Sequence, residues 1–179
     1  MLDWLHSQIS LNTLIWLFPI TFLLHDFEEI IFVESWFKKN YVRLRPKVPN
    51  HMIKVFDDLS KTNAARFSIP VFMQFIVYVI ASYLAAEKGF YGLFLGVNVF
   101  FFLHIFSHIG QTLFFGVYAL GVGSAIMVTL PYSLYLFYRF IDEQMISLTD
   151  LIVNLPYGLI SVAIVWFGHQ LAVKILPDS

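Results

Sequence analysis

The chain contains no cysteine. Disulfides, iron–sulfur clusters and thiolate metal sites are therefore excluded, and any metal site must be built from histidine and carboxylate ligands. Charge is also scarce. Only 13% of the 179 residues are Asp, Glu, Lys or Arg, against about a quarter in an ordinary soluble domain. From Phe90 to Tyr138 there is no Asp, Glu, Lys or Arg at all. What fills the space is apolar: 59% hydrophobic residues, with 18% aromatic. A soluble fold has no use for such runs, and several approach or exceed the roughly 20 residues that cross a bilayer as a helix. The composition thus points to an all-α, polytopic transmembrane helix bundle with no second soluble domain. No nucleic-acid partner is expected.

Breakers and charges divide the chain. Residues 1–10 read as an interfacial segment with Trp4 at headgroup level, and without the basic start of a signal peptide. The remainder, 11–179, reads as one transmembrane domain of about five spans, near 11–36, 67–86, 90–115, 119–140 and 151–173. Trp36, Lys38 and Lys39 mark the far end of the first. Glu87-Lys88-Gly89 makes a turn after the second, and Gly116, Gly121 and Gly123 mark the turn between the third and fourth. Asp142, Glu143 and Asp150 fall in the loop before the fifth. Between the first two spans lies a basic loop, 38–66, where Pro46 and Pro49 break helix and Met52, Ile53, Phe56 and Leu59 have the spacing of a short surface helix. Lys38, Lys39, Arg43, Arg45, Lys47, Lys54, Lys61 and Arg66 fall in this loop and Lys174 on the same side, with only Lys88 and Arg139 opposite. That asymmetry places the loop and the C-terminus in the cytoplasm and the N-terminus outside, in a multi-pass plasma-membrane protein.

Against this background, His25-Asp26-Phe27-Glu28-Glu29 stands out: four ionisable side chains in five residues, within an apolar run. Charged groups at bilayer depth are costly, so they face a bundle interior and find partners there. His25 and Glu29 share a helix face at i, i+4, with Glu28 at i+3 beside them and Asp26 turned toward a different helix or the bundle edge. The third span carries a second pair, His104-Ile105-Phe106-Ser107-His108, again at i, i+4. His25 lies as many residues past Leu11 as His104 lies past Phe90, roughly 21 Å along each helix at 1.5 Å per residue. Since both spans run inward, the two pairs meet at one depth. His169 in the fifth span falls near the same level, Asn98 lies two turns before His104, and Gln111 follows His108 by three.

Histidines with a carboxylate suit Zn²⁺ first, with Fe²⁺ or Mn²⁺ as alternatives. His25, Glu29, His104 and His108 are the expected metal ligands, and His169, Asn98 and Gln111 are additional or supporting candidates. The order His-x-x-Glu-Glu is close to the His-x-x-Glu-His helix of inverted zincins, where the inner Glu is the general base. By that analogy Glu28 is the catalytic base toward a water on the metal. Four protein ligands would make the site closed or binuclear, and three would leave the open position that catalysis needs. Three functions fit: a metal-dependent hydrolase acting on a lipid, lipid-linked or peptide substrate near the cytoplasmic leaflet; a small cation or proton transporter or channel subunit; or a non-catalytic structural membrane protein. Membrane lipid is the expected environment and a lipid or membrane-embedded molecule the expected substrate; nothing in the sequence sets an oligomeric state.

His25-x-x-Glu28-Glu29 in an N-terminal span, followed by His104-x-x-x-His108 with Asn98 upstream, resembles the HXXEE domain family of small bacterial inner-membrane proteins. The resemblance runs from about Leu11 to Leu136. It implies that His25, Glu28 and Glu29 are signature positions; it implies no activity. Family members carry a Tyr-x-Pro-Gly-like turn after the second histidine, where this chain has Tyr118-Ala119-Leu120-Gly121, without the proline.

Overall fold

The computed structural model describes residues 2–177, and among them there is helix and no strand. A short α1 (Leu2–Gln8) leads into α2 (Leu11–Leu44), whose first turn is closed by Ser10 accepting from the Thr13 amide. Two single turns around Pro46 and Pro49 precede α3 (Ile53–Leu59). Then come α4 (Ala64–Lys88), α5 (Gly92–Phe115), α6 (Val122–Asp142) and α7 (Leu148–Ile175). Helices α4 to α7 are each long and apolar enough to cross a membrane. The 34-residue α2 is longer than any of them, but its ionisable cluster dilutes its hydropathy.

Element boundaries follow local chemistry. Helix α2 continues past Trp36 to Leu44, because Lys38 to Arg43 contains no breaker, and it stops where Pro46 forbids another turn. Asn63 caps α4 by accepting from the Arg66 amide at 2.8 Å, and Gly89, at φ 65°, ends it. Helix α7 starts ahead of the expected position. Ser147 and Asp150 form a reciprocal capping box, so Asp150 belongs to the first turn of the helix and not to the loop. A π-turn over Ala125–Thr129 precedes Pro131 in α6, where the proline cannot donate.

Helix α2 is the centre of the bundle. Leu14, Phe18 and Phe22 repeat at helical spacing and are buried against Tyr78 of α4, Phe94 and Phe101 of α5, and Tyr132 of α6. His25 and Glu29 continue that stripe one and two turns further on. The other face of α2, with Ile20, Leu24, Phe27 and Ile31, is exposed, as are apolar side chains on α4, α5 and α7. An apolar exterior of this extent is what lipid contact requires.

Helices α5 and α7 cross where both have glycine. A Cβ on Gly96 would lie 2.3 Å from the Asn154 carbonyl, and one on Gly158 would lie 2.5 Å from the Gly96 carbonyl. Beyond this crossing α7 leans on α4 instead, with Gly168 pressed on Pro70. The space left between α5 and α7 becomes the wall of a cavity.

Candidate metal centre

The two histidine-bearing stretches meet. One ligand atom from each of His25, Glu29, His104 and His108 can be chosen so that all four lie within 4.8 Å of one another. His108 Nε2 is 2.8 Å from His104 Nε2 and 3.4 Å from Glu29 Oε1, and His25 Nε2 is 4.0 Å from the same oxygen. The His25 ring stands edge-on to the His104 and His108 rings at 5.7 and 5.0 Å. His25 and His108 are fully buried; Glu29 and His104 are partly buried.

Hydrogen bonds on the far side of the rings settle which nitrogens face inward. Ser124 Oγ donates to Glu28 Oε2 at 2.5 Å, so its one proton is used and the oxygen accepts from His25 Nδ1 at 3.0 Å. Ser107 Oγ donates to the His104 carbonyl at 2.7 Å and so accepts from His104 Nδ1 at 3.2 Å. With Nδ1 carrying the proton in both rings, each Nε2 presents a lone pair to the cluster. His108 Nδ1 is buried and lies against the Leu120 backbone, short of a well-formed hydrogen bond. Without a cation, the 2.8 Å contact is then a hydrogen bond from His108 Nε2 to the His104 Nε2 lone pair, and a cation displacing that proton would meet three imidazole nitrogens and a carboxylate. The donor set is that of a divalent ion of the Zn²⁺, Fe²⁺ or Mn²⁺ type, so the residues fit such a group.

Glu28 faces away from the ligand set, into the turn that joins α5 to α6. Oε1 accepts from the Tyr118 hydroxyl at 2.5 Å, while Oε2 accepts from the Ser124 amide at 2.7 Å as well as from its hydroxyl. Tyr118 also accepts from the Gly123 amide at 2.9 Å, which closes the turn on itself. Burial and the adjacent Glu28 carboxylate raise the Tyr118 phenol above its ordinary value, so it stays a donor. The turn needs Gly121 at φ 81°. A Cβ there would meet Glu29 Oε1 at 2.5 Å and His108 Cε1 at 2.9 Å. The Tyr118-Ala119-Leu120-Gly121 stretch thus packs directly on the centre.

Glu29 and His104 also line a cavity of about 1050 Å³, bounded by α2, α4, α5 and α7. Phe22, Phe100, Phe101, Val162 and Val165 supply apolar walls; Asp26, Gln74, Tyr78 and Ser161 form a polar strip. Tyr78 accepts from Gln74 at 3.2 Å and shares a hydrogen bond with Ser161 at 2.8 Å. Asp26 does point to another helix, one of the two placements its spacing allows, but that wall belongs to the same cavity. It is 7% exposed and its Oδ2 has no hydrogen-bond partner among the described residues. His169 lines the cavity too, stacked edge-on to Phe67 at 5.7 Å, and is outside the four-residue cluster. Asn98 is buried and bonds back to the Phe94 carbonyl at 2.8 Å. Gln111 is on an exposed face of α5.

The sequence marks Gly121 as a turn residue and Tyr118-Ala119-Leu120-Gly121 as the stretch comparable to the family's turn, but spacing assigns neither a role at the centre and does not single out Ser124. No curated protein and no solved structure matches the chain. Residues 16–136, more than half of the chain, match the family model described as a protein of unknown function with HXXEE motif. That stretch holds His25, Glu28, Glu29, His104 and His108 together with the turn that supports them, and the chain belongs to the HXXEE family.

Proposed function

We propose that His25, Glu29, His104 and His108 hold a divalent metal ion, Zn²⁺ first and Fe²⁺ or Mn²⁺ otherwise, and that the protein is a membrane-embedded hydrolase. Its substrate would be a lipid or lipid-linked molecule admitted through the cavity from the cytoplasmic leaflet. The observation that carries this reading is the convergence of imidazole lone pairs and a carboxylate on the wall of a cavity large enough for a substrate. The basic segment 38–66 supports a cytoplasmic cavity mouth and C-terminus, with the N-terminus outside.

When bound, the ion would supply Lewis acidity toward a carbonyl or phosphoryl oxygen. The chain's own groups divide the rest of the work. Glu28, first expected as the base, holds Ser124 and through it the His25 ring, so it acts as a positioning residue. Asp26 lies on the cavity wall beside the centre and would hold or release a proton at a reacting oxygen. A buried, unpartnered Asp26 is also the observation that favours the second reading, a cation or proton path, in which Asp26 is the relay.

Metal analysis of the purified protein tests the reading. Near-stoichiometric metal in the wild type, reduced strongly in His25→Ala and His104→Ala, is the expected result. Asp26→Asn should retain metal and lose lipid hydrolysis. Full metal content in both histidine variants would end the proposal. Unchanged hydrolysis in Asp26→Asn would remove Asp26 from it, and cation uptake into liposomes without hydrolysis would favour the second reading.

A further inference from the structure

The mouth of the cavity has a chemistry that the metal centre does not require. Lys54 from α3, Lys61 from the α3–α4 link and Lys174 from the end of α7 all line it, and among them Asp58 is the one acidic side chain. None of the three lysines has a carboxylate oxygen within 4.0 Å among the described residues, although Lys61 is near enough to help hold the Asp57 carboxyl down. Arg66 lies at the same level, with Nε donating to the Leu176 carbonyl at 2.7 Å, which ties the two helix ends together.

The depth of the mouth can be read from the helices. The Ala64 amide donates to Glu34 Oε1 at 3.0 Å, so the start of α4 is level with Glu34. Glu29 is then about 7.5 Å further in at 1.5 Å per residue. Along α4 the cavity continues from Arg66 to Tyr78, roughly 18 Å by the same measure. On one side it is walled by Phe100 of α5 and by Val162, Val165 and Trp166 of α7, where these helices part below the Gly96–Gly158 crossing. Trp166 and Val162, one turn apart on α7, both line the cavity and are 66% and 49% exposed, so among the described residues no further helix covers that wall.

A long apolar chamber, open along its length toward lipid and cationic at its water-facing end, matches an amphiphile of one kind. We infer that the cavity receives a single-chain lipid with an anionic, phosphate-type head group. The head lies among Lys54, Lys61 and Lys174, and the chain runs between α5 and α7. The bond nearest the head then lies about a turn and a half inside the mouth, level with Glu29. This names the substrate class of the proposed hydrolase and rests on that reading for the bond that is cleaved. Occupancy of the cavity requires neither metal nor turnover.

Native mass spectrometry of the full chain in a nonionic detergent separates the two. The probes are a lysophosphatidic acid, the monoacylglycerol of the same chain, and inorganic phosphate. One lysophosphatidic acid should bind per chain, with the monoacylglycerol weaker by roughly tenfold or more, since it lacks the anionic head that the three lysines would attract. Inorganic phosphate alone should neither bind nor compete. The triple variant Lys54→Ala/Lys61→Ala/Lys174→Ala, which alters exposed side chains only, should bind both lipids equally weakly. Val165→Trp, which fills the chamber, should bind neither. Equal affinity for the two lipids in the wild type would overturn the inference. So would undiminished binding in either variant, or displacement of the lipid by free phosphate. His25→Ala should lose metal and keep the lipid. If it keeps both, the hydrolase reading fails while the cavity assignment stands; if it loses both, the assignment of the lipid to the mouth fails.

Discussion

Gly121→Ala isolates the coupling between the α5–α6 turn and the metal centre. The residue sits at φ 81°, where alanine costs about 1–2 kcal/mol. The new Cβ would also lie 2.5 Å from Glu29 Oε1 and 3.1 Å from Glu29 Cγ. Carbon and oxygen in ordinary contact are nearer 3.5 Å apart, so the carboxylate must withdraw by roughly 1 Å. A glutamate tip can do that, but not while keeping the 3.4 Å approach to His108 Nε2. The buried His108 ring, whose Cε1 is 2.9 Å from the same Cβ, must shift as well. Stability should therefore fall by more than the backbone strain alone, and metal affinity should fall about 10–100-fold, the scale seen when groups that orient ligands are lost. Gly116→Ala is the control. Its φ is 63°, but nothing lies within 4 Å of its Cβ, so it carries the strain without the clash. Chelator competition gives the affinity, and thermal unfolding of the same samples gives the strain. Equal metal affinity in the two variants would refute the packing argument.

Two further outcomes follow from other contacts. Ser124→Ala removes the oxygen that joins Glu28 to His25 Nδ1. Metal affinity should drop about 10–100-fold for an estimated 1 kcal/mol of stability, and ¹⁵N NMR of the metal-free protein should show the His25 proton redistributed between its ring nitrogens, whereas an unmoved tautomer would sink the relay. At the surface, Arg45 hydrogen-bonds Asp57 through two nitrogens at 2.9 Å, and Tyr41 donates to it at the same distance. Arg45 is the main cause of an Asp57 carboxyl held below its ordinary value. A lowered carboxylate pKa contributes stability above the ordinary range, near pH 4, and loses it as pH falls through the depressed value. Amide protection factors of α3, taken relative to intrinsic exchange at each pH, should fall in that window in the wild type and show no such step in Asp57→Asn; a step in both would reassign it.

Much of the architecture is legible because a membrane helix must satisfy its own backbone, so apolar runs and their breakers give its length. The mismatches sit at helix ends in water. Lys38 to Leu44 stays helical although polar, and Ser147 with Asp150 starts α7 earlier than the apolar run does. The convergence of His25, Glu29, His104 and His108 was legible for a related reason: i, i+4 spacing fixes a face, and equal distance from the start of each span fixes a level along the bundle. Glu28 was not. Spacing places it near the same face, but its partners come from a turn whose path depends on one left-handed glycine. The cavity was beyond reach as well, because it exists only through the divergence of α5 and α7 past Gly96 and Gly158.

The order of residues in His25-Asp26-Phe27-Glu28-Glu29 then has a physical reason. Successive residues on a helix turn by about 100°, so five of them cover the whole circumference. In α2 that sweep meets a different surrounding at each step. His25 and Glu29, one turn apart, reach the α5 histidines. Asp26 reaches the cavity strip on α4 and α7, Phe27 reaches the lipid face, and Glu28 reaches the turn that holds His25 in place. On the proposed reading each of these groups has its own use: His25 and Glu29 as ligands, Glu28 as the carboxylate that supports His25, and Asp26 as the acid on the cavity wall. That division of roles, more than the charge it buries, would explain why so polar a stretch is carried on the central helix of the bundle.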